Sequence, residues 1–254
     1  MPAVDLADVR AQIEVEREWR EAELRFLRNR LAFISDEAKR KVYRKSLVVM
    51  LYAHFEGLCK AILLTYVESL NASGLLVEEA NAAIAAASLS EVFQALRDPN
   101  SKCKIFKRDL PDDTKLHRFA RDREFIDSFA ALAGRSVTLD ADSLVDTESN
   151  LKPVILRKIL YRLGLEPALV TPWTGAIQQL LRRRNDVAHG TAKDGLDEQV
   201  YRELEQAVYA VVDDLVRVIC DAISKQLYRR APLIAASSAA VSAPAVVPVV
   251  PASS

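Results

Sequence analysis

Apolar positions along the chain recur mostly every three or four residues, the repeat of helices that put one face into a core. Over residues 5–34, Leu6, Val9 and Ile13 keep this spacing, and Leu24, Leu27 and Leu31 resume it. The other positions are dense in charge, with Glu16/Arg20 and Glu21/Arg25 set for i,i+4 pairs, so the pattern predicts a first helix with a solvated outer face. Ser35-Asp36 can cap a second helix reaching about residue 71. Between residues 47 and 66 that helix is apolar on nearly every side, which predicts the central core helix; Glu56/Lys60 is its one i,i+4 ion pair. The stretch 46–67 carries His54, Glu56 and Lys60, whereas a membrane span needs about 20 residues with few or no charges. It therefore reads as a buried helix, with no membrane partner.

The pattern is weaker over residues 75–134. Ser88-x-x-Glu91 has the form of a capping box opening a short helix to Arg97. Asp98-Pro-Asn-Ser is a turn signal. Pro111-Asp-Asp-Thr can start a helix from about Lys115 that Gly134 would end. After a loop over 135–150, Asn150 suits an N-cap and Pro153 a first helical turn, predicting a helix over 151–163 stopped by Gly164. Thr174 is placed to cap the next helix, which ends near His189-Gly190. Asp194 or Asp197 opens a last helix to about Arg230, with Val200, Leu204, Val208, Val211, Leu215, Ile219 and Ile223 as its apolar stripe. Residues 231–254 are Ala, Ser, Pro and Val apart from Leu233 and Ile234, which predicts a disordered tail.

No strand pattern occurs anywhere, so the fold class is all-α, with about four core helices. The expected organisation is an N-terminal helix (1–35) packed on the core, a helical domain (36–230) with a helical insertion (75–134), and the low-complexity tail (231–254).

Composition narrows the function classes. Of 254 residues, 35 are Lys or Arg and 35 are Asp or Glu; half are hydrophobic and only 7 are Gly. This balance excludes a chain disordered throughout, a basic scaffold that coats nucleic acid and an acidic tail protein. Cys59, Cys103 and Cys220 are too few and too scattered for a disulfide framework or a metal knuckle, and read as reduced, mostly buried thiols. The N-terminus has no basic stretch leading into an apolar run, so the expected location is the cytoplasm. The neutral total hides opposed segments: residues 151–185 hold seven basic and one acidic residue, 193–221 three and eight, and 125–150 one and five.

The positive segment ends on Leu180-Leu-Arg-Arg-Arg-Asn-Asp-Val-Ala-His-Gly190. Common dinucleotide, P-loop, zinc-protease and serine-hydrolase motifs are missing, and three histidines (His54, His117, His189) are too few for a multi-histidine metal site. No metal and no cofactor is expected. Phosphodiester cleavage needs cationic donors where charge develops on the phosphate, and a group that titrates near neutrality to move a proton. Arginine's planar fork and a histidine supply both. On a regular helix Arg184 and His189 lie about 140° apart, whereas Arg182 and His189 lie within about 20°. Arg184 would meet His189 only through a loosened helix end, a wrapped side chain or a second protomer. A structural reading competes: Arg182/Asp186 as a surface pair, and His189 resting on its helix C-terminus.

Arg184-Asn185 followed by His189-Gly190 resembles the signature of the HEPN superfamily, an Arg, four to six residues, then a His. Leu51-Tyr-Ala-His-Phe-Glu-Gly-Leu58 and Glu148-Ser-Asn-Leu-Lys152 resemble the MAE-type branch of that superfamily. The likeness covers roughly residues 36–71 and 146–230. It implies a HEPN-like bundle and a metal-independent endoribonuclease, usually a homodimer with a composite site, from toxin–antitoxin or antiphage systems. The implied partners are RNA, a second copy of the chain, and an antitoxin or defence-system protein. By that resemblance the ribose 2′-OH attacks the adjacent phosphate, His189 acts as acid or base, Arg184 holds the phosphate and Asn185 orients the group or the substrate. The need for a 2′-OH selects RNA over DNA. Within the basic run, Arg182, Arg183 and Lys158 are the candidate RNA-binding residues. One position departs: some HEPN toxins carry a modifiable Tyr two residues after the His, and here it is Thr191. Two other readings stay open, an inactive relative that binds RNA, a nucleotide or a protein, and a helical adaptor.

Overall fold

A computed structural model describes residues 4–103, 105, 106, 108 and 114–231. Its centre is the 36-residue helix α2 (Glu37–Ala72), capped by Asp36, whose carboxylate accepts the Ala38 N–H at 2.8 Å. Leu51, Cys59, Ile62, Val67 and Leu70 are wholly buried, because neighbours cover α2 on most sides. By length and composition alone α2 is long and apolar enough to cross a membrane. Here α1 (Leu6–Asn29) lies along one side and α8 (Thr174–Ala188) and α9 (Glu198–Ser224) along the others. Helix α1 runs antiparallel to α2: Trp19 stacks edge-on against His54, and the Tyr43 hydroxyl reaches the Leu27 carbonyl. Ladders from Arg17 to Asp213 and from Arg28 to Glu205 fix α9 along α1.

No β-strand occurs among the described residues; two isolated bridges, Leu76 with Ser136 and Ala80 with Arg229, tie loops together. Between the bundle helices lie α3 (Ala82–Ser88), α4 (Ser90–Arg97), α5 (Lys115–Ala133) and the single-turn α6 (Ala141–Leu144). Helix α5 matches its sequence signals: Thr114 caps it and Gly134 follows it. Residues 109–113, the expected turn before it, lie outside the described residues, as does the expected tail from 232 onward. Buried His117 and Arg121 pin α5 to the preceding loop, His117 Nδ1 accepting the Cys103 N–H and Arg121 donating to the carbonyls of Leu96 and Ser101.

Several expected caps do not form. Ser88 is the last residue of α3, and its hydroxyl accepts the Thr138 N–H at 3.0 Å, so no capping box opens α4. Asn150 does not cap α7 (Pro153–Arg162): the chain turns earlier, through positive φ at Glu148 and Ser149, and Lys152 occupies the cap position. Thr174 is already inside α8, because a 3₁₀ turn over Pro167–Trp173 feeds straight into it and the Thr174 hydroxyl donates back to Val170. Asp197 stands at the start of α9, but its carboxylate pairs with Lys41 at 2.7 Å instead of capping. Helix α9 stops at Ser224, short of Arg230, where Gln226 turns left-handed (φ 50°) and the Leu227 N–H bonds back to Ala222.

Candidate functional site

Helix α8 stays regular through Ala188, and its end is built by Gly190. That residue takes φ +69°, a conformation side chains resist, so the chain turns back and Thr191 and Ala192 both donate their N–H to the Asp186 carbonyl at 2.9 Å. The following loop is strapped to α2. Lys45 Nζ donates to the Ala192 carbonyl at 2.7 Å, and the Leu196 N–H donates to Lys41 O at 2.9 Å. Gly195 passes so close that a Cβ there would lie 2.3 Å from Lys41 Cβ and 2.8 Å from its carbonyl carbon. The chain just beyond the signature segment is thus strapped to the core helix.

Arg184 is half-buried and points inward over α2. Its guanidinium carbon stands 4.7 Å from the centre of the Tyr52 ring, and its Nη1 donates to Asn185 Oδ1 at 2.9 Å. It forms no ion pair with a carboxylate among the described residues. Tyr52 is fixed in turn by the Leu151 N–H, which donates to its hydroxyl at 2.8 Å. Burial above all, and then the nearby Glu56 carboxylate, raise the Tyr52 hydroxyl well above the ordinary phenol range; Arg184 pulls the other way. The segments around residues 51–58, 148–152 and 184–189, far apart in sequence, therefore meet around one cation.

His189 sits at the C-cap of α8, with its N–H on the Asn185 carbonyl at 2.9 Å. Its ring is exposed and makes no hydrogen bond or ion pair among the described residues. No contact joins it to Arg184, in keeping with the regular helix between them. Arg182 and Arg183 are exposed, Arg183 at the rim of a small pocket beside Lys45 and Val48 of α2, and Arg182 makes no ion pair with Asp186, contrary to the surface-pair reading. Lys158 pairs with Glu148, so its charge is already met. Arg157 donates to the hydroxyls of Thr171 and Thr174, and Arg162 to the Ser143 carbonyl. Among the described residues, then, only Lys158 of this run has a carboxylate partner, in an exposed pair, while Arg157 and Arg162 tie α7 to neighbouring hydroxyl and carbonyl groups.

The remaining polar groups of α2 separate from this centre. His54 faces α1, with Nε2 3.0 Å from Glu23 but out of line for a hydrogen bond. Burial lowers its pKa, Glu23 opposes that and Arg20 adds to it. Glu56 makes no ion pair with Lys60; it faces Tyr52 instead. No group of three or more His, Cys, Asp or Glu among the described residues could hold a metal ion. Tyr52 was not singled out from sequence. Its signal was slight: it lies one turn before Glu56, on the same helical face, within a segment that already resembled the MAE-type pattern.

A family model described as MAE-like HEPN matches residues 9–228. No curated protein and no solved structure matches the chain.

Proposed function

The chain belongs to this HEPN family, and on that premise we propose that it is an endoribonuclease that cleaves RNA without a metal ion. The observation that carries the reading is the state of Arg184. A half-buried guanidinium normally finds a carboxylate, since an unpaired charge away from water is costly. Arg184 is instead held by an aromatic face and a side-chain amide. Both orient the fork and leave its charge to be met by an anion from outside. A phosphodiester supplies that charge, with a geometry that suits the fork.

In this reading the substrate's 2′-oxygen attacks the adjacent phosphorus as its proton passes to a base, and the bond to the 5′-oxygen breaks as that oxygen takes up a proton. The products carry a 2′,3′-cyclic phosphate and a 5′-hydroxyl. Arg184 stabilises the charge on the phosphate oxygens, and His189, whose ring is exposed, moves a proton. Asn185 acts on Arg184: its Oδ1 is already engaged there, so its part is to set the fork's orientation. Arg182 and Arg183 line the approach of the RNA backbone. Because one chain keeps Arg184 and His189 apart, the working site is composite, with a second protomer completing it at this face. Such an activity fits a cytoplasmic toxin or antiphage effector held in check by an antitoxin or defence-system partner.

The test is purified full-length chain with single-stranded RNA, beside its His189→Ala variant. The reading expects cleavage by the wild type, 2′,3′-cyclic phosphate ends, and none of either from the variant. Persisting cleavage in His189→Ala overturns it; RNA binding without any cleavage by the wild type points to an inactive relative.

A further inference from the structure

Helix α1 has two apolar faces. The inner one, with Val9, Ile13 and Leu24, is buried in the core. The outer one was expected to be simply polar and solvated, yet it carries Val15, Trp19 and Phe26, with Phe33 just beyond in the 3₁₀ turn; they are 64, 48, 56 and 81% exposed. With Ala22 between them, the residues from Val15 to Phe26 follow one another at four, three and four positions. That is the spacing of a coiled-coil seam, all within a sector of about 60°. Arg20 and Arg30 stack on the aromatic rings from the sides, at 4.2 Å over Trp19 and 4.6 Å over Phe26, and leave the seam open.

The charges beside the seam show what fits it. Arg17, Arg20 and Arg28 and the carboxylates Glu16 and Glu21 all have partners within the chain, and Glu23 lies on the opposite edge from Glu18 and Arg25, 3.0 Å from His54 Nε2. Glu18 and Arg25 are exposed, lie on one edge of the seam seven residues apart, and have no ion-pair partner among the described residues. Turned end for end, the same edge presents Arg25 where it presented Glu18. We propose that two copies of the chain associate through this seam as an antiparallel helix pair. The twofold axis passes near Ala22, so that Glu18 of each copy meets Arg25 of the other. Such a contact is isologous and closes on itself, and the small side chain of Ala22 lets the helices approach at the crossing. A foreign partner would have no reason to match this edge to its own reverse.

The seam lies on the far side of α2 from the candidate site. His54 faces α1, while Tyr52, about 200° around the same helix, faces Arg184. Pairing through α1 therefore leaves Arg184 and His189 uncovered, and this contact stands or falls independently of the ribonuclease reading. It adds a second self-contact to whatever assembly the α8 face makes.

The experiment is the mass of the full-length protein in solution, by light scattering and sedimentation, for wild type and surface charge variants. Glu18→Arg alone and Arg25→Glu alone each place like charges together and are expected to halve the assembly, weakening association by about tenfold or more. The double variant Glu18→Arg/Arg25→Glu restores the wild-type mass, and so does an equimolar mixture of the two single variants. Phe26→Lys, at an exposed position that the fold does not need, also halves it. A mass unchanged by these single variants overturns the proposal, as does a wild type that is monomeric at about 100 µM, a concentration well above the Kd of a specific contact, and leaves the seam to a foreign partner. Failure of both the double variant and the mixture to recover the wild-type mass overturns the antiparallel register.

Discussion

Arg44 and Arg184 both pack against the core helix system, two turns of α2 apart, and their surroundings are opposite. Arg44 is almost wholly buried and gripped by carboxylates: Nη1 pairs with Glu37 at 2.8 Å, Nη2 with Glu198 at 3.2 Å, and the Leu196 carbonyl lies 3.4 Å from Nη1. It locks the start of α9 to the first turns of α2. Arg184 is less buried, and no carboxylate among the described residues pairs with it; Tyr52 and Asn185 hold it in place. A buried cation is retained either because its charge is neutralised in the fold or because the charge is kept for a ligand. Arg44 is the first case; the proposed function makes Arg184 the second. The difference lies in the partners, since the residue type is the same.

The sharpest way to break this comparison is to truncate both. Arg184→Ala is expected to cut RNA cleavage by about 10²–10³-fold, the usual loss for a transition-state donor. Its effect on urea unfolding should stay within about 1 kcal/mol, since no buried partner is left unpaired. Arg44→Ala should do the reverse, lowering the unfolding free energy by about 3 kcal/mol while cleavage per folded molecule survives. If both variants lose stability equally and activity equally, the distinction fails.

Tyr52 tests the support under Arg184. Tyr52→Phe keeps the ring and loses only the bond from the Leu151 N–H. Tyr52→Leu removes the face on which the guanidinium rests, worth about 0.5–2 kcal/mol for a desolvated cation–π contact. Cleavage by Tyr52→Leu should therefore fall several-fold further than cleavage by Tyr52→Phe, and the salt dependence of RNA binding should change little. Equal losses would mean that the ring does not position Arg184.

Gly195 tests the strap. An added Cβ collides with Lys41 backbone and side chain, so Gly195→Ala must push the 191–197 loop off α2 at about 1–3 kcal/mol, the cost of overpacking. The expected result is a lower thermal midpoint together with weaker cleavage, because the loop anchors the chain just beyond His189. A midpoint unchanged from wild type would show that the loop gives way freely.

The smallest effect concerns His54, on the side of α2 away from the site. Its folded pKa is lowered, chiefly by burial. Above about pH 6.5 the imidazole is neutral in both states and contributes no pH dependence. As the pH falls through 6.5 the unfolded chain takes up a proton that the folded chain refuses until its own, lower pKa. Stability is thus lost over that window, and His54→Gln should flatten the slope of unfolding free energy there. Cleavage should be indifferent to this change.

Particular residues show how far the sequence could be read. The periods of α1, α2 and α9 were visible because each has a stripe or a whole surface of apolar positions, and burial of that surface is what forms the helix; α5 was marked only by its start and stop signals. Gly134 and Gly190 ended helices where expected. The polar caps at Ser88, Asn150 and Thr174 did not behave as expected; at Ser88 and Thr174 the hydroxyl takes another partner that the fold offers, and at Asn150 the chain turns before the helix begins. Ser88 found the Thr138 N–H fifty residues away. At the candidate site the signature named Arg184, Asn185 and His189, but not which basic neighbours keep a free charge. Lys158 looked like its neighbours in sequence and is taken by Glu148. The outer face of α1 looked like a charged, solvated surface because Glu and Arg outnumber its apolar positions. Their spacing is legible in the sequence, but only the folded chain shows that no neighbouring element covers them.

The sequence by itself determined an all-α chain, the core helix, the family and the short segment in which chemistry is concentrated, because hydrophobic period and residue type are local properties. The tertiary structure alone decided which charges are spent and which are kept. Ion pairing and stacking depend on what arrives from distant parts of the chain. Glu37 and Glu198 reach Arg44 across the fold, whereas at Arg184 what arrives is the ring of Tyr52, and its charge is left over.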